Sequence, residues 1–210
     1  MFAAAKIVTM NERRVLMVRA RIVLVTGAPG SGKSTLGVEL ARSMRIPFVA
    51  RDDVRGGLFF TDGGWTPKPR RVPTADEAVE TLLRMIETTA GLGVSCIVEY
   101  VIRQSRPHDW ARITAAADCV VLMTTCREAM SRFTHREMND ALLNRRAVLD
   151  ALGKASIEDH TTQAISRMES VVDDMRTDFD VPMLQVATDH GYQPGLDEIS
   201  DFVVSDHRTR

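Results

Sequence analysis

The 210-residue chain has little cysteine, little aromatic content, no excess of either charge and no long apolar run. Its cysteines, Cys96, Cys119 and Cys126, are odd in number and lack CxxC spacing. That excludes a disulfide framework and fits buried reduced thiols in a cytoplasmic protein. Twenty-seven Lys and Arg stand against 28 Asp and Glu. A long nucleic acid is usually gripped through a basic excess, because phosphate contacts supply most of the affinity, and that excess is missing. No window approaches the roughly 18 apolar residues a membrane helix needs, so no membrane association is expected. The basic N-terminus has apolar pieces too short and interrupted for a secretory core. His108, His135, His160, His190 and His207 fall at no metal-ligand spacing.

What remains is the composition of a globular domain, with 44% hydrophobic and 26% charged residues and room for one core. Met10 and Met17 offer alternative starts, so residues 1–20 read as an extension ahead of a domain over residues 21–205. Short apolar runs alternate with amphipathic stretches, the pattern of βαβ units. The spacing predicts strands over Arg21 to Thr26, Ile46 to Ala50, Val94 to Tyr100, Asp118 to Thr124 and Val181 to Ala187. Near-continuous apolar runs are what strands covered on both faces require. A helix is predicted from Ala75 to Ala90, opened by a Thr74/Glu77 capping box and stopped by Gly91 and Gly93. A second spans Ile157 to Arg176, with Ile165, Met168, Val172 and Met175 on one face. Together these give a three-layer α/β/α fold on a five-stranded parallel sheet, with its ligand site outside the carboxyl ends of the strands.

Gly27-Ala28-Pro29-Gly30-Ser31-Gly32-Lys33-Ser34 matches GxxxxGK[ST] in full, after an apolar strand and before an amphipathic helix carrying Leu36, Leu40 and Ala41. Glycines let successive backbone N–H groups turn onto phosphate oxygens, and the helix N-terminus adds partial positive charge. Lys33 serves as a charge on the β and γ phosphates, Ser34 as a magnesium ligand and Thr35 as an α-phosphate contact through its backbone. The motif implies nucleotide binding but does not separate a kinase from a switch or a motor.

The second predicted strand runs into ARDDVRGG, placing Asp52, Asp53 and Arg55 at the ligand edge. A carboxylate there can order or deprotonate an attacking hydroxyl, and Arg55 can stabilise phosphoryl charge; the same residues also suit a helix cap. The third strand delivers Glu99, a candidate magnesium ligand or acceptor contact, with Arg103 and Arg106 following as candidate substrate contacts. After the fourth strand, Arg132 and Arg136 share a helix face, as a lid over phosphates at about residues 127–150 would require, with Arg127, Arg145 and Arg146 nearby. A solvent-facing helix laced with Glu128 and Glu137 is the competing reading.

GAPGSGKST, RDDVR, an acid after the third strand and a paired RxxxR after the fourth resemble the P-loop kinases related to phage-type polynucleotide 5′-kinase and chloramphenicol phosphotransferase. The resemblance spans about Arg21 to Phe202 and implies a P-loop NTPase fold with a helical lid. It implies Asp52 as general base, Arg55 on the acceptor and Arg136 as the lid arginine, and it extends to VATDHGYQPGLDEI, whose Thr188 to Tyr192 are candidates for the base pocket. Glu99 stands where the family has aspartate. The insert FFTDGGWTPKPRRVPTAD, with Trp65, Lys68, Arg70 and Arg71, reads equally as an acceptor element or as an exposed loop.

The expectation is a kinase using ATP and Mg2+ on a hydroxyl of a small molecule. Its catalytic residues would be Lys33, Asp52, Arg55 and Arg136, with nucleotide held by Gly27 to Thr35, Arg132 and Arg136. The acceptor would meet Asp52, Asp53, Arg55, Glu99 and Arg103, and the metal Ser34 and Glu99. The alternatives are a polynucleotide 5′-hydroxyl kinase acting on a nucleic acid end, and a nucleotide-dependent switch or regulatory ATPase.

Overall fold

A computed structural model describes residues 19–64, 71–140 and 157–207. Side chains at 64, 136–140, 157–161 and 164 are outside that description, as are residues 1–18 of the N-terminal extension. In chain order the elements are β1 (Arg21–Gly27), α1 (Lys33–Met44), β2 (Phe48–Ala50), α2 (Arg51–Phe59), α3 (Ala75–Gly91), β3 (Cys96–Glu99) and α4 (Pro107–Ala116). They continue with β4 (Asp118–Thr125), α5 (Ala129–Asp140), α6 (Ile157–Asp173), β5 (Met183–Ala187) and α7 (Leu196–Val204).

The strands form one parallel sheet in the order β2-β3-β1-β4-β5. Because side chains alternate along a strand, each one feeds both faces. Ile22 and Leu24 of β1 join Val79, Leu82, Leu83 and Ile86 of α3 and Trp110 and Ile113 of α4 on one side. Val23 and Val25 join Leu36 and Leu40 of α1 and Ile199 and Val203 of α7 on the other. This two-sided burial is why the strands read as unbroken apolar runs. Cys96 and Cys119 are buried in the first of these layers, and all three cysteines are free. Among the described residues, no helix is long and apolar enough to cross a membrane.

Every predicted strand is present. Thr74 accepts from the Glu77 backbone while the Glu77 carboxylate accepts from the Thr74 N–H, so the capping box that opens α3 closes in both directions. Strand ends shift by one or two residues, and the largest boundary difference is at α6. Helix α6 ends at Asp173, and Met175 instead bridges Arg103 in the loop after β3. Three short helices, α2, α4 and α7, carry too few turns for periodicity to announce them.

Strand register sets the site. Val25 of β1 and Ala50 of β2 both lie beside Glu99 of β3, so the phosphate loop, the start of α2 and Glu99 leave the sheet at one level.

Candidate active site

The loop after β1 turns through Gly27, Gly30 and Gly32, whose φ values of 139°, 82° and 84° lie in the region that side chains disfavour. Close approach adds to this at Gly30, where an added Cβ would sit 2.0 Å from the Ala129 carbonyl oxygen at the start of α5. Helix α5 thus begins directly on the phosphate loop. Gly32 caps α1 in a left-handed conformation, presenting the helix N-terminus to the loop. The Lys33 Nζ donates to the Ala28 carbonyl at 2.8 Å, which holds a largely buried ammonium across the loop.

Beneath the loop lies a buried set of hydroxyls. Ser31 Oγ and Thr124 Oγ1 are 2.6 Å apart, and Thr124 Oγ1 lies 3.0 Å from the Thr26 carbonyl. A carbonyl only accepts, so the single Thr124 proton goes to Thr26 and Ser31 donates to Thr124. Thr188, just past β5, donates from Oγ1 to the Ser31 carbonyl at 2.9 Å. Ser31 is therefore tied to the ends of both β4 and β5.

Glu99 lies near the Ser34 hydroxyl and within the field of Lys33. Burial pushes its carboxyl above the usual range, Lys33 and Ser34 oppose that, and the charges of Asp52 and Asp53 add to it. Ser34 and Glu99 present two hard oxygen donors near one another. That donor set fits magnesium, which binds through one or two protein oxygens and completes its shell with water and phosphate. No group of three or more His, Cys, Asp or Glu able to hold a metal occurs among the described residues.

Asp52 and Asp53 occupy the first turn of α2, where carboxylates also favour the helix dipole. The Asp52 side chain is 73% exposed and pairs with Arg51 at 2.5 Å, and Arg55 Nε donates to the Pro73 carbonyl at 3.0 Å. Asp53 lines a cavity of about 430 Å³ between β2, α2 and α3, otherwise walled by groups such as Val49, Gly57, Leu58, Thr81 and Met85. Asp52, Asp53 and Glu99 therefore gather at one edge, whereas Arg103 stands farther along the loop after β3, bridged to Met175.

Two lid arginines were expected on α5. Arg132 donates to the carbonyls of Thr188 and Asp189 at 3.2 and 3.1 Å, linking α5 to the loop after β5, and the Arg127 N–H donates to Asp189 Oδ1. Arg136 lies one turn beyond on the same helix, with its side chain outside the described residues, as are Arg145 and Arg146. Phe133 of α5 packs against Met168 and Ile165 of α6.

Two other basic candidates serve the framework. Arg106 pairs with Asp76 and, at 2.9 Å, with the fully buried Asp109, which also accepts from the Tyr100 hydroxyl. Arg71 of the insert pairs with Asp62 at 2.9 Å and Glu77 at 2.5 Å, while Trp65, Lys68 and Arg70 lie outside the described residues. Sequence reasoning missed Thr124, and it offered Thr188 only for the base pocket, not as a tie to the phosphate loop. The only local signal was a hydroxyl at the end of an apolar strand.

The profile of the AAA domain family matches residues 23–153. No curated protein matches the chain. Among solved structures, a candidate kinase from Chloroflexus aurantiacus is 22% identical, with 89% of this chain and 95% of that chain covered and a TM-score of 0.59. The APS kinase of Mycobacterium tuberculosis, crystallised with AMPPNP and APS, is 16% identical, covers 89% of this chain and 99% of its own, and gives a TM-score of 0.53. Likeness at this level is a likeness of fold. With the parallel sheet and the phosphate loop, it identifies the three-layer α/β/α P-loop fold that the sequence predicts.

Proposed function

The chain belongs to the AAA domain family, and from that premise we propose that it is an ATP- and Mg2+-dependent kinase that phosphorylates a hydroxyl of a small molecule. The observation that carries this reading is the meeting, at one sheet edge, of the phosphate loop, Glu99 beside Ser34, and the two acids of α2. A nucleotide switch needs the first two. The acids on the acceptor side are what a phosphoryl transfer adds.

In this reading the loop amides and the α1 N-terminus hold the triphosphate, and Lys33 exchanges the Ala28 carbonyl for phosphate oxygens. Ser34 and Glu99 would hold the magnesium ion, which would supply positive charge against the phosphates. Asp52 orients or deprotonates the acceptor hydroxyl, and Arg55 stabilises the transferring group. Arg136 takes the part of the lid arginine that the resemblance implies, favouring transfer over hydrolysis. The cavity beside Asp53, about 430 Å³, is of the size that holds a small molecule rather than a polymer. Arg71, a cation that a nucleic acid end would call on, is already paired with Asp62 and Glu77. The kinases among structures of the same fold are consistent with this chemistry.

The test is transfer from radiolabelled ATP to a panel of sugars, antibiotics, nucleosides and oligonucleotides, with the parent and Asp52→Asn side by side. The expected result is a labelled small alcohol, and loss of that label in the variant with ATP affinity retained. ATP turnover that needs no acceptor and is unchanged by Asp52→Asn would overturn the kinase reading.

A further inference from the structure

The hydroxyl of Thr188 is buried, lies 157 residues from its partner in sequence, and belongs to no phosphate-binding motif. Its single proton has two carbonyls in reach, Ser31 at 2.9 Å and Thr125 at 3.3 Å, and the Thr125 oxygen already accepts the Thr188 N–H at 3.0 Å. The proton therefore belongs chiefly to Ser31. The two ends of a trans peptide point in opposite directions. Fixing the Ser31 carbonyl towards Thr188 therefore aims the next donor, the Gly32 N–H, away from β5. The other end of Ser31 is fixed as well, because its hydroxyl donates to Thr124 at 2.6 Å. Thr188 also packs close to Gly32, where an added Cβ would meet its Oγ1 at 3.2 Å.

We propose that Thr188 is a positioning residue for phosphate binding: it holds the Ser31–Gly32 peptide so that the Gly32 N–H faces the nucleotide phosphates. The inference rests on the nucleotide-binding half of the reading above. Thr188 touches no phosphate and acts through Gly32. Its backbone carbonyl accepts from Arg132 of α5 at 3.2 Å, so the same residue joins the phosphate loop to α5. Valine has the shape of threonine without the donor. In Thr188→Val the buried Ser31 carbonyl loses its partner and the peptide is free to flip.

Because Thr188 also stands in a loop that could contact the base, the test uses two probes, Mg2+–ATP and inorganic tripolyphosphate, which has no base. Affinities are measured by calorimetry at a temperature where each variant is fully folded, so that lost stability alone cannot change them. Thr188→Val should bind both probes roughly tenfold more weakly, as loss of one well-aimed donor implies, and Thr188→Ser should recover to within about threefold. Thr188→Ala carries the same expectation should the valine variant melt too early to measure. Tripolyphosphate binding by Thr188→Val within about twofold of the parent overturns the inference, even if ATP binding falls, since a base contact would then be the cause. An equal loss in Thr188→Ser overturns it too. A parent protein that binds neither probe would overturn instead the nucleotide reading on which this inference stands.

Discussion

Replacing Gly30 by alanine tests where helix α5 starts. Two costs follow from the structure. Alanine at φ 82° occupies the left-handed region at roughly 1–2 kcal/mol. Its Cβ would lie 2.0 Å from the Ala129 carbonyl oxygen, whereas real contacts essentially never fall under 3.0 Å, so the first turn of α5 must retreat by about 1 Å. The obstacle is backbone, so no rotamer change relieves it. A retreat of that size takes the Arg132 donors, now 3.2 and 3.1 Å from Thr188 and Asp189, out of hydrogen-bond range. Those two bonds are worth about 0.5–1 kcal/mol each, at the low end because one is exposed. The sum, roughly 2–4 kcal/mol, corresponds to a fall in Tm on the order of 10 °C for a chain of this length. Gly57 is the control. It lies inside α2, has nothing within 4 Å of an added Cβ, and should gain roughly 0.5–1 kcal/mol on mutation to alanine. Thermal melts without nucleotide should therefore move in opposite directions for the two variants. A Gly30→Ala protein melting within about 2 °C of the parent would refute the placement of α5 on the loop.

Glu99→Gln should separate stability from function. Burial raises the Glu99 carboxyl in the folded protein, so folding favours its protonated form. The stability this gives is complete below the unfolded carboxylate pKa of about 4.3 and is lost as pH rises through the raised folded value. The glutamine variant should melt above the parent at neutral pH, with the gap closing on acidification, while magnesium-dependent nucleotide affinity drops; a gap that widens in acid contradicts the burial argument. Lys33→Met should weaken ATP binding roughly 10- to 100-fold by calorimetry, since it removes a charged donor. Gly57→Leu fills the cavity beside Asp53 from a position with open space around it. Steady-state assays should show transfer to the accepted alcohol reduced roughly tenfold or more with ATP affinity unchanged, and full transfer would place the acceptor elsewhere.

The elements that sequence made legible are those written in local patterns. The capping box joins Thr74 to Glu77, three residues apart, and the phosphate loop is contiguous. The strands announce themselves because both of their faces are covered, which forces the apolar side chains into unbroken runs. Helix α6 was overextended because Met175 continues the apolar spacing, yet its backbone pairs with Arg103 in a loop far away in sequence. The basic residues were hardest to read. Arg106 and Arg132 look alike on paper, but one closes a buried acid and the other ties two carbonyls to α5.

By itself the sequence determined a parallel sheet, a phosphate-binding turn on its first strand and a cluster of acids at the ends of the next two, because each follows from neighbours along the chain. Tertiary structure decided that Ser34 lies near Glu99, that α5 rests on Gly30, and that Ser31 is held by Thr124 and Thr188 from 93 and 157 residues away. Hydroxyl and guanidinium groups have many possible partners of equal chemistry. Only the packing of strands side by side selects which of them come within reach.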